Sequence, residues 1–295
     1  MQSIVSRVLG DRMILSFHPC ITADAQIILG DRSLGAEDFS LIRRAKAILL
    51  PQSCPEGLYS ACRNSSALLF PNYEKRYSHP GKLGQSRLFL AMGWPHPRTL
   101  RWDSAEAFRT YAREGKDPLP HELPFLLKRD TSHEGDGVYL IEDRKDLERG
   151  LEEIEGKGDS AFISQEWIAS EGNVLRAVLL GKRIITYWKR PEGKGNGITT
   201  ISRGARVDHD WRLELQEKVA SKAASISKES GINVAALDFV FPLNAPDPEP
   251  LLLEINYYFG RKGLGGSLRY YRLLVDAARE WLEENGLEAG RIGLA

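Results

Sequence analysis

The chain is poor in the features that mark several large classes of protein. Among its 295 residues, no apolar stretch approaches the roughly 20 residues needed to cross a bilayer, so no membrane partner is expected. Charges at Arg7, Asp11 and Arg12 break the N-terminus too early for a signal-peptide core. There are three cysteines, Cys20, Cys54 and Cys62, an odd number without close spacing. They read as free thiols in a reducing compartment, and the expected location is cytoplasmic. The six histidines form no pair at metal-ligand spacing, which argues against structural zinc. Forty Lys and Arg balance forty Asp and Glu. A zero balance argues against a protein that works by neutralising a phosphate backbone, so nucleic acid is not an expected partner. It leaves room for a local basic site. The chain also lacks internal repeats and low-complexity segments.

What remains is an ordinary globular composition, 42% hydrophobic and 27% charged, with length for about two domains. The first 75 or so residues alternate short apolar runs (Met13–Phe17, Ala25–Leu29, Ala47–Leu50, Ala67–Phe70) with two helical segments. Those helices are Ala36–Arg44, with Phe39, Ile42 and Arg43 on one face, and Pro55–Arg63. The alternation implies parallel βαβ units in a small open sheet. A helix follows from about Pro80 to Met92, with Leu83, Arg87, Leu88, Leu90 and Ala91 on a broad face and Gly93 as a stop. Beyond Pro95 and Pro97 the pattern changes to longer strands in hairpin-like arrangements. Strands are expected at Pro124–Lys128, Val138–Ile141, Ala161–Ile168, Val174–Leu180, Arg183–Lys189, Val234–Phe241 and Pro250–Asn256. Helices are expected at Asp143–Glu155, Arg212–Ser230 and Leu268–Glu284, the last with a stripe of Leu268, Tyr271, Leu274 and Trp281 that reads as core.

The strongest chemical signal lies in the last two strands, which carry Asp238 in one and Glu254 and Asn256 in the other. Strand alternation puts Glu254 and Asn256 on one side and Leu253 and Ile255 on the other. Acids in apolar strands need a compensating cation or a cleft. Two carboxylates and an amide oxygen are hard ligands that suit magnesium on nucleotide phosphates, with manganese as a substitute ion. The plain alternative for either acid is an ion pair with an arginine. Lys128 ends a strand just before a loop containing Gly135 and Gly137, where backbone N–H groups can close on phosphate. Lys82 sits in the first turn of its helix. The extended backbone at Gln165, Glu166, Trp167 and Ile168 offers groups able to read an adenine edge. Arg176, Arg190 and Arg203 suit carboxylate or phosphate recognition, and the glycine-rich loop 191–197 is placed to close over a substrate.

Taken in order, these residues resemble the ATP-grasp superfamily, in its branch of ribosomal-protein glutamate ligases and glutathione synthetases. The resemblance runs from about Pro80 to the C-terminus. It implies an α/β (α+β) fold. A small parallel αβ companion domain would occupy 1–77 and the ATP-grasp unit 78–295, with a lid subdomain at about 98–167 and a C-terminal subdomain at about 168–295. It further implies phosphate contacts from Lys82, Lys128 and the loop His133–Gly137. Adenine would bind at Gln165–Ile168, with Glu166 as a nucleotide contact, and magnesium at Asp238, Glu254 and Asn256. Arg176, Arg190 and Arg203 become candidate catalytic residues. The implied activity is ATP-dependent ligation of a small or peptide carboxylate to an amine through an acylphosphate, by a possible homo-oligomer. A small-molecule kinase and a non-catalytic ATP-binding module are the alternatives. The chain departs from the family in an acidic lid loop, in Asn173 near a common acid position, and in the segment Tyr257–Gly266.

Overall fold

The structure is a computed structural model that describes residues 13–114, 119–130, 137–158, 161–192 and 204–295. The N-terminal part contains β1 (Ile14–Ser16), β2 (Ile21–Thr22), β3 (Ala25–Gln26), β4 (Ala47–Leu49) and β5 (Leu68–Phe70). Its helices are α1 (Ala36–Arg44), α2 (Glu56–Arg63) and the short α3 (Glu74–Ser78). Strands β3, β1, β4 and β5 form one parallel sheet in that order. The expected βαβ pattern is therefore present, with strand bounds shifted by one residue, except that the strand expected at Ala25–Leu29 ends at Gln26. In α1 the buried positions are Asp38 and Ile42, whereas Phe39 is 40% exposed. Asp38 is buried because Arg32 pairs with it through both carboxylate oxygens, so the apolar count misassigned the inner face.

Helix α4 (Gly81–Ala91) follows. It buries Leu83, Ser86, Leu88 and Phe89, while Arg87, Leu90 and Ala91 face solvent. Gly84 lies so close to the His79 backbone that any Cβ there would collide with it. Gln85 uses its amide as a clamp: its Nε2 donates to the Ile255 carbonyl at 2.9 Å and its Oε1 accepts from the Ile255 N–H at 2.8 Å.

The next unit is an antiparallel sheet with order β6-β9-β7-β8: β6 (Thr99–Trp102), β7 (Phe125–Arg129), β8 (Val138–Ile141) and β9 (Phe162–Glu166). Helices α5 (Ala105–Glu114) and α6 (Arg144–Gly156) cover one side, with Phe108, Leu147, Leu151 and Ile154 in its core. The sequence reading missed β6 and α5, although Ala105, Phe108 and Ala112 are spaced for one helical face behind Ser104, whose hydroxyl accepts from the Ala107 N–H.

The C-terminal sheet is larger, in the order β12-β11-β10-β13-β14. It comprises β10 (Val174–Leu180), β11 (Arg183–Arg190), β12 (Arg206–Asp208), β13 (Val234–Val240) and β14 (Leu251–Asn256). Helix α7 (Leu213–Ser230) packs on one face, against Leu175, Ala177, Leu179, Trp188, Leu237 and Phe239. Helix α8 (Ser267–Glu284) packs on the other, against Val178, Leu180, Tyr187, Val234 and Ala236. A last strand, β15 (Gly293–Leu294), returns to pair with β2. The inner face of α8 is Tyr270, Leu274, Val275, Ala277, Ala278 and Leu282, so Leu268, 61% exposed, does not belong to the core stripe expected for it. β14 is an edge strand. The Gln85 clamp and a bond from the Leu252 N–H to the Pro95 carbonyl occupy its outer backbone groups, which protects the edge and fixes α4 to the sheet.

Candidate active site

The α8 face of the large sheet has two halves. Toward one end it is apolar. Toward the other it carries Arg176, Lys189, Asp238, Glu254 and Asn256. Strand pairing brings them together: Arg176 lies opposite both Tyr187 and Asp238, and Asp238 lies opposite Glu254. Asp238 is wholly buried. Arg176 grips it through two bonds of 2.7 Å, from Nε and a terminal nitrogen. Lys189 Nζ donates to Asp238 Oδ2 at 2.8 Å, and Asn256 Nδ2 donates to the same oxygen at 3.2 Å. Burial opposes ionisation of Asp238, but Arg176 and Lys189 outweigh it and hold the carboxyl well below the usual aspartate range. For Lys189 burial dominates over the pull of Asp238 and lowers its pKa. Asn256 Nδ2 also donates to Glu254 Oε1 at 2.9 Å.

The arginine pairing weighed as the plain alternative for either acid is thus the arrangement seen at Asp238. Both its oxygens are engaged, whereas Glu254 and Asn256 are only half-buried. Among the described residues there is no cluster of three or more His, Cys, Asp or Glu suited to a metal. The donors that fit a hard divalent ion are the Glu254 carboxylate and the Asn256 amide oxygen, with Asp238 behind them as a buried anion.

Glu254 also faces a cleft that is open to solvent. The cleft is lined by Lys82 and Phe89 from α4, Thr99 from β6, Lys128 from β7, Gln165 from β9, and Glu254 with Leu253 from β14. It therefore sits between the two antiparallel sheets, with α4 along it. A β-bulge between Asp238 and Phe239 shifts the β13–β14 register, and Leu253 lines the cleft beside Glu254 instead of pointing opposite it, as strict alternation required. Lys128 is buried, and its Nζ donates to Gln165 Oε1 at 2.6 Å. The Gln165 amide nitrogen donates in turn to Thr99 Oγ1 at 2.9 Å. Lys82 is brought to the same cleft by Asp130, whose carboxylate accepts from the Leu83 N–H at 2.8 Å and so caps the start of α4. Asp130, just after β7, thereby ties the two lysine-bearing elements together.

Burial lowers the Lys128 pKa to about 8; Glu254 opposes this and Lys82 adds to it. A lysine depressed from 10.5 to about 8 binds fewer protons folded than unfolded between those values, so its contribution to stability rises with pH across that window. The cation itself is lost in the folded protein as pH rises through about 8. On the phosphate contact that the resemblance implies for Lys128, kcat/KM for ATP should fall as pH rises through about 8, and Lys128→Arg, which stays charged, should lack this limb. A pH–rate profile of both proteins checks it.

The other expected site residues are placed as follows. Glu166 ends β9 in the smaller antiparallel sheet: its backbone N–H donates to the Arg98 carbonyl and its Oε1 accepts from the Arg98 N–H, both at 2.9 Å. Trp167 and Ile168 continue from it half-buried. Gly137 accepts from the Arg129 N–H and has φ +66°, a conformation that favours glycine, where the chain re-enters β8. His133, Gly135 and Arg203 lie outside the described residues. Arg190 does not join the cluster. It pairs with Asp208 at 2.9 Å and stacks on Trp211 at 4.1 Å. The reason is strand alternation: Arg190 shares the Trp188 face, and its neighbour Lys189 is the residue that reaches Asp238. The sequence reading overlooked Lys189, though the Arg176–Asp238 face could be traced to it by counting in twos across the hairpin.

Two antiparallel sheets closing on a lysine-lined cleft, behind a parallel αβ unit, form the architecture of the ATP-grasp fold. Solved structures agree. A RimK domain ATP-grasp protein from Sphaerobacter thermophilus aligns with a TM-score of 0.55 at 16% identity, covering 90% of this chain and 98% of that one. D-alanine–D-alanine ligase from Bacillus anthracis aligns with a TM-score of 0.58 at 12% identity, covering 88% and 87%. A probable alpha-L-glutamate ligase 2 from Shewanella sp. (strain MR-4) is 26% identical over 166 residues, 56% of this chain and 52% of that protein. The chain spans about half the length of the curated relatives it matches. The family model for the RimK-like ATP-grasp domain matches residues 104–273, more than half of the chain. The chain belongs to the RimK-like ATP-grasp family.

Proposed function

We propose that the protein is an ATP-dependent carboxylate–amine ligase of small or peptide substrates, working in a reducing, cytoplasmic setting. The observation that carries this reading is the meeting of Lys82, Lys128 and Glu254 in one cleft between the two sheets, with the Arg176–Asp238–Lys189 cluster beside it. Residues 1–77 form the companion αβ domain and 78–295 the ATP-grasp unit. ATP lies in the cleft, its adenine along Gln165–Ile168 and its phosphates toward Lys82 and Lys128. Glu254 and Asn256 would hold a magnesium ion, which when bound would supply charge neutralisation on the phosphates.

A substrate carboxylate oxygen attacks the γ-phosphorus, the bond to the ADP oxygen breaks, and an acylphosphate forms. The amine nitrogen then attacks the acyl carbon and phosphate leaves. Neither step needs a covalent enzyme nucleophile. The chain's task is to align the reactants, an effect of order 7–11 kcal/mol at best, and to stabilise charge with fixed cations. Lys128, already stripped of water, needs little reorganisation to do so. Screening amino acids and short peptides for acceptor-dependent release of phosphate and ADP, with mass analysis of the product, tests the reading. A joined product with ADP and phosphate is expected; a phosphorylated acceptor instead would assign a kinase.

A further inference from the structure

The hydrogen bonds that start at Lys128 run on in one direction. An ammonium can only donate, so Lys128 Nζ gives a proton to Gln165 Oε1 at 2.6 Å. That bond fixes which end of the Gln165 amide is oxygen. The amide nitrogen then donates to Thr99 Oγ1 at 2.9 Å, and the Thr99 hydroxyl gives its single proton to the Pro97 carbonyl at 2.7 Å. Bonds aligned head to tail polarise one another, and each orients the next. The chain is sheltered, with Lys128 8% and Gln165 4% exposed. Sheet pairing builds it. Thr99 of β6 lies directly opposite Gln165 of β9, and Lys128 lies on the diagonal, two positions along β7 from Leu126, which faces Gln165.

Pro97 belongs to the irregular segment 94–98 between α4 and β6. Pro95 and Pro97 lock their own φ angles, which stiffens it. Two further bonds tie it down. The Trp94 indole nitrogen donates to a Glu229 carboxylate oxygen on α7 at 2.7 Å, and the Pro95 carbonyl accepts from the Leu252 N–H at 2.8 Å. Leu252 stands two residues before Glu254 on β14. Lys128 and Glu254, on different walls of the cleft, are thus anchored to the same short piece of chain. Lys128 uses one ammonium N–H in this way, and its other two have no partner among the described residues. The charged groups that face it are Glu254 from β14 and Lys82 from α4. β6 and β9 line the cleft with the uncharged Thr99, Ile163 and Gln165.

We propose that Gln165 and Thr99 are positioning residues. The chain from Lys128 to the Pro97 carbonyl holds the ammonium at a set place across the cleft from Glu254, with two N–H groups left for phosphate oxygens. Gln165 and Thr99 therefore act on the nucleotide through Lys128. Their hold on Lys128 stands on the bonds above; its use in binding ATP rests on the ligase reading.

The test uses the full chain, first without nucleotide and then with it. In the first arm, protein labelled with carbon-13 at lysine Cε is titrated by NMR, and Lys128→Arg identifies the Lys128 signal. Gln165→Glu should move the Lys128 midpoint up by about one pH unit or more, because a carboxylate replaces the amide oxygen at hydrogen-bond distance. Gln165→Met keeps the length but offers only a weak acceptor, and it should move the midpoint down. A side chain that merely fills space would not give shifts of opposite sign. In the second arm, a fluorescent ATP analogue with magnesium is titrated near neutral pH. Gln165→Met should weaken its binding about tenfold, the loss of one charge-assisted contact. Thr99→Val, which keeps the shape and removes the hydroxyl, should weaken it about fivefold, and Thr99→Ser should restore most of that. The proposal is overturned by a midpoint that stays put in both Gln165 variants, by affinity that neither Gln165→Met nor Thr99→Val changes, or by Thr99→Ser binding no better than Thr99→Val. Failure of the wild type to bind the ATP analogue overturns the ligase reading instead, and the NMR titration still decides the hold on Lys128.

Discussion

Glu254→Gln is expected to reduce ATP turnover by about 10²- to 10³-fold, the range seen when one preorganised electrostatic group is lost from an active site, while the fold stays intact. Glutamine keeps the shape, and it can still face Asn256, whose amide nitrogen donates to Glu254 Oε1. What disappears is the negative charge that fits a divalent ion at the mouth of the lysine-lined cleft. Residual activity should require more magnesium for half-saturation. Steady-state phosphate release over a magnesium series, with far-UV circular dichroism for the fold, checks both statements. Full activity at ordinary magnesium would sink the assignment of Glu254 as a metal ligand.

Arg176→Met should act on stability first. It removes both bonds of the bidentate grip and leaves a wholly buried aspartate with Lys189 and Asn256 alone. Breaking a buried pair from one side costs about 3–5 kcal/mol, and that is the expected drop in unfolding free energy by denaturant titration. The sign with pH follows from the depressed Asp238 carboxyl. The stabilisation that Arg176 gives is present above the ordinary aspartate value of 3.8 and is lost as pH falls through the folded-state value. The penalty of the variant should therefore hold from neutrality down to about pH 4 and shrink only below it, because a protonated Asp238 needs no cation. A pH-independent penalty would mean that Arg176 serves mainly as packing.

The helices and strands were legible wherever their period was strong. Asp143–Glu155 showed Leu147, Leu151 and Ile154 on one face, and all three are buried. The Gly181–Lys182 turn and the Gly231 stop were also visible, and both glycines have positive φ. Where a charge rather than an apolar residue held the inner face, as at Asp38, the reading failed. Apolar residues on outer faces, such as Leu90 and Leu268, misled it in the same way. Such errors share a cause: burial of a polar side chain depends on its partner, and the partner is distant in sequence.

The same division holds for the site. By itself the sequence marked the charges that call for a partner, because acids and lysines set in or beside apolar strands are too costly to bury without a reason, and it determined the order of the elements that carry them. It also singled out Lys82, Lys128, Gln165 and Glu254, which the fold collects in one cleft. Only the tertiary structure decided which cation answers which acid. Register across β10, β11 and β13 gave Asp238 to Arg176 and Lys189 and sent Arg190 to Asp208 on the other face. A capping bond from Asp130 brought Lys82 to the cleft that Lys128 lines. Those choices rest on contacts between residues far apart in the chain, and alternation by single positions reverses the face a side chain occupies, so no local pattern could have fixed them.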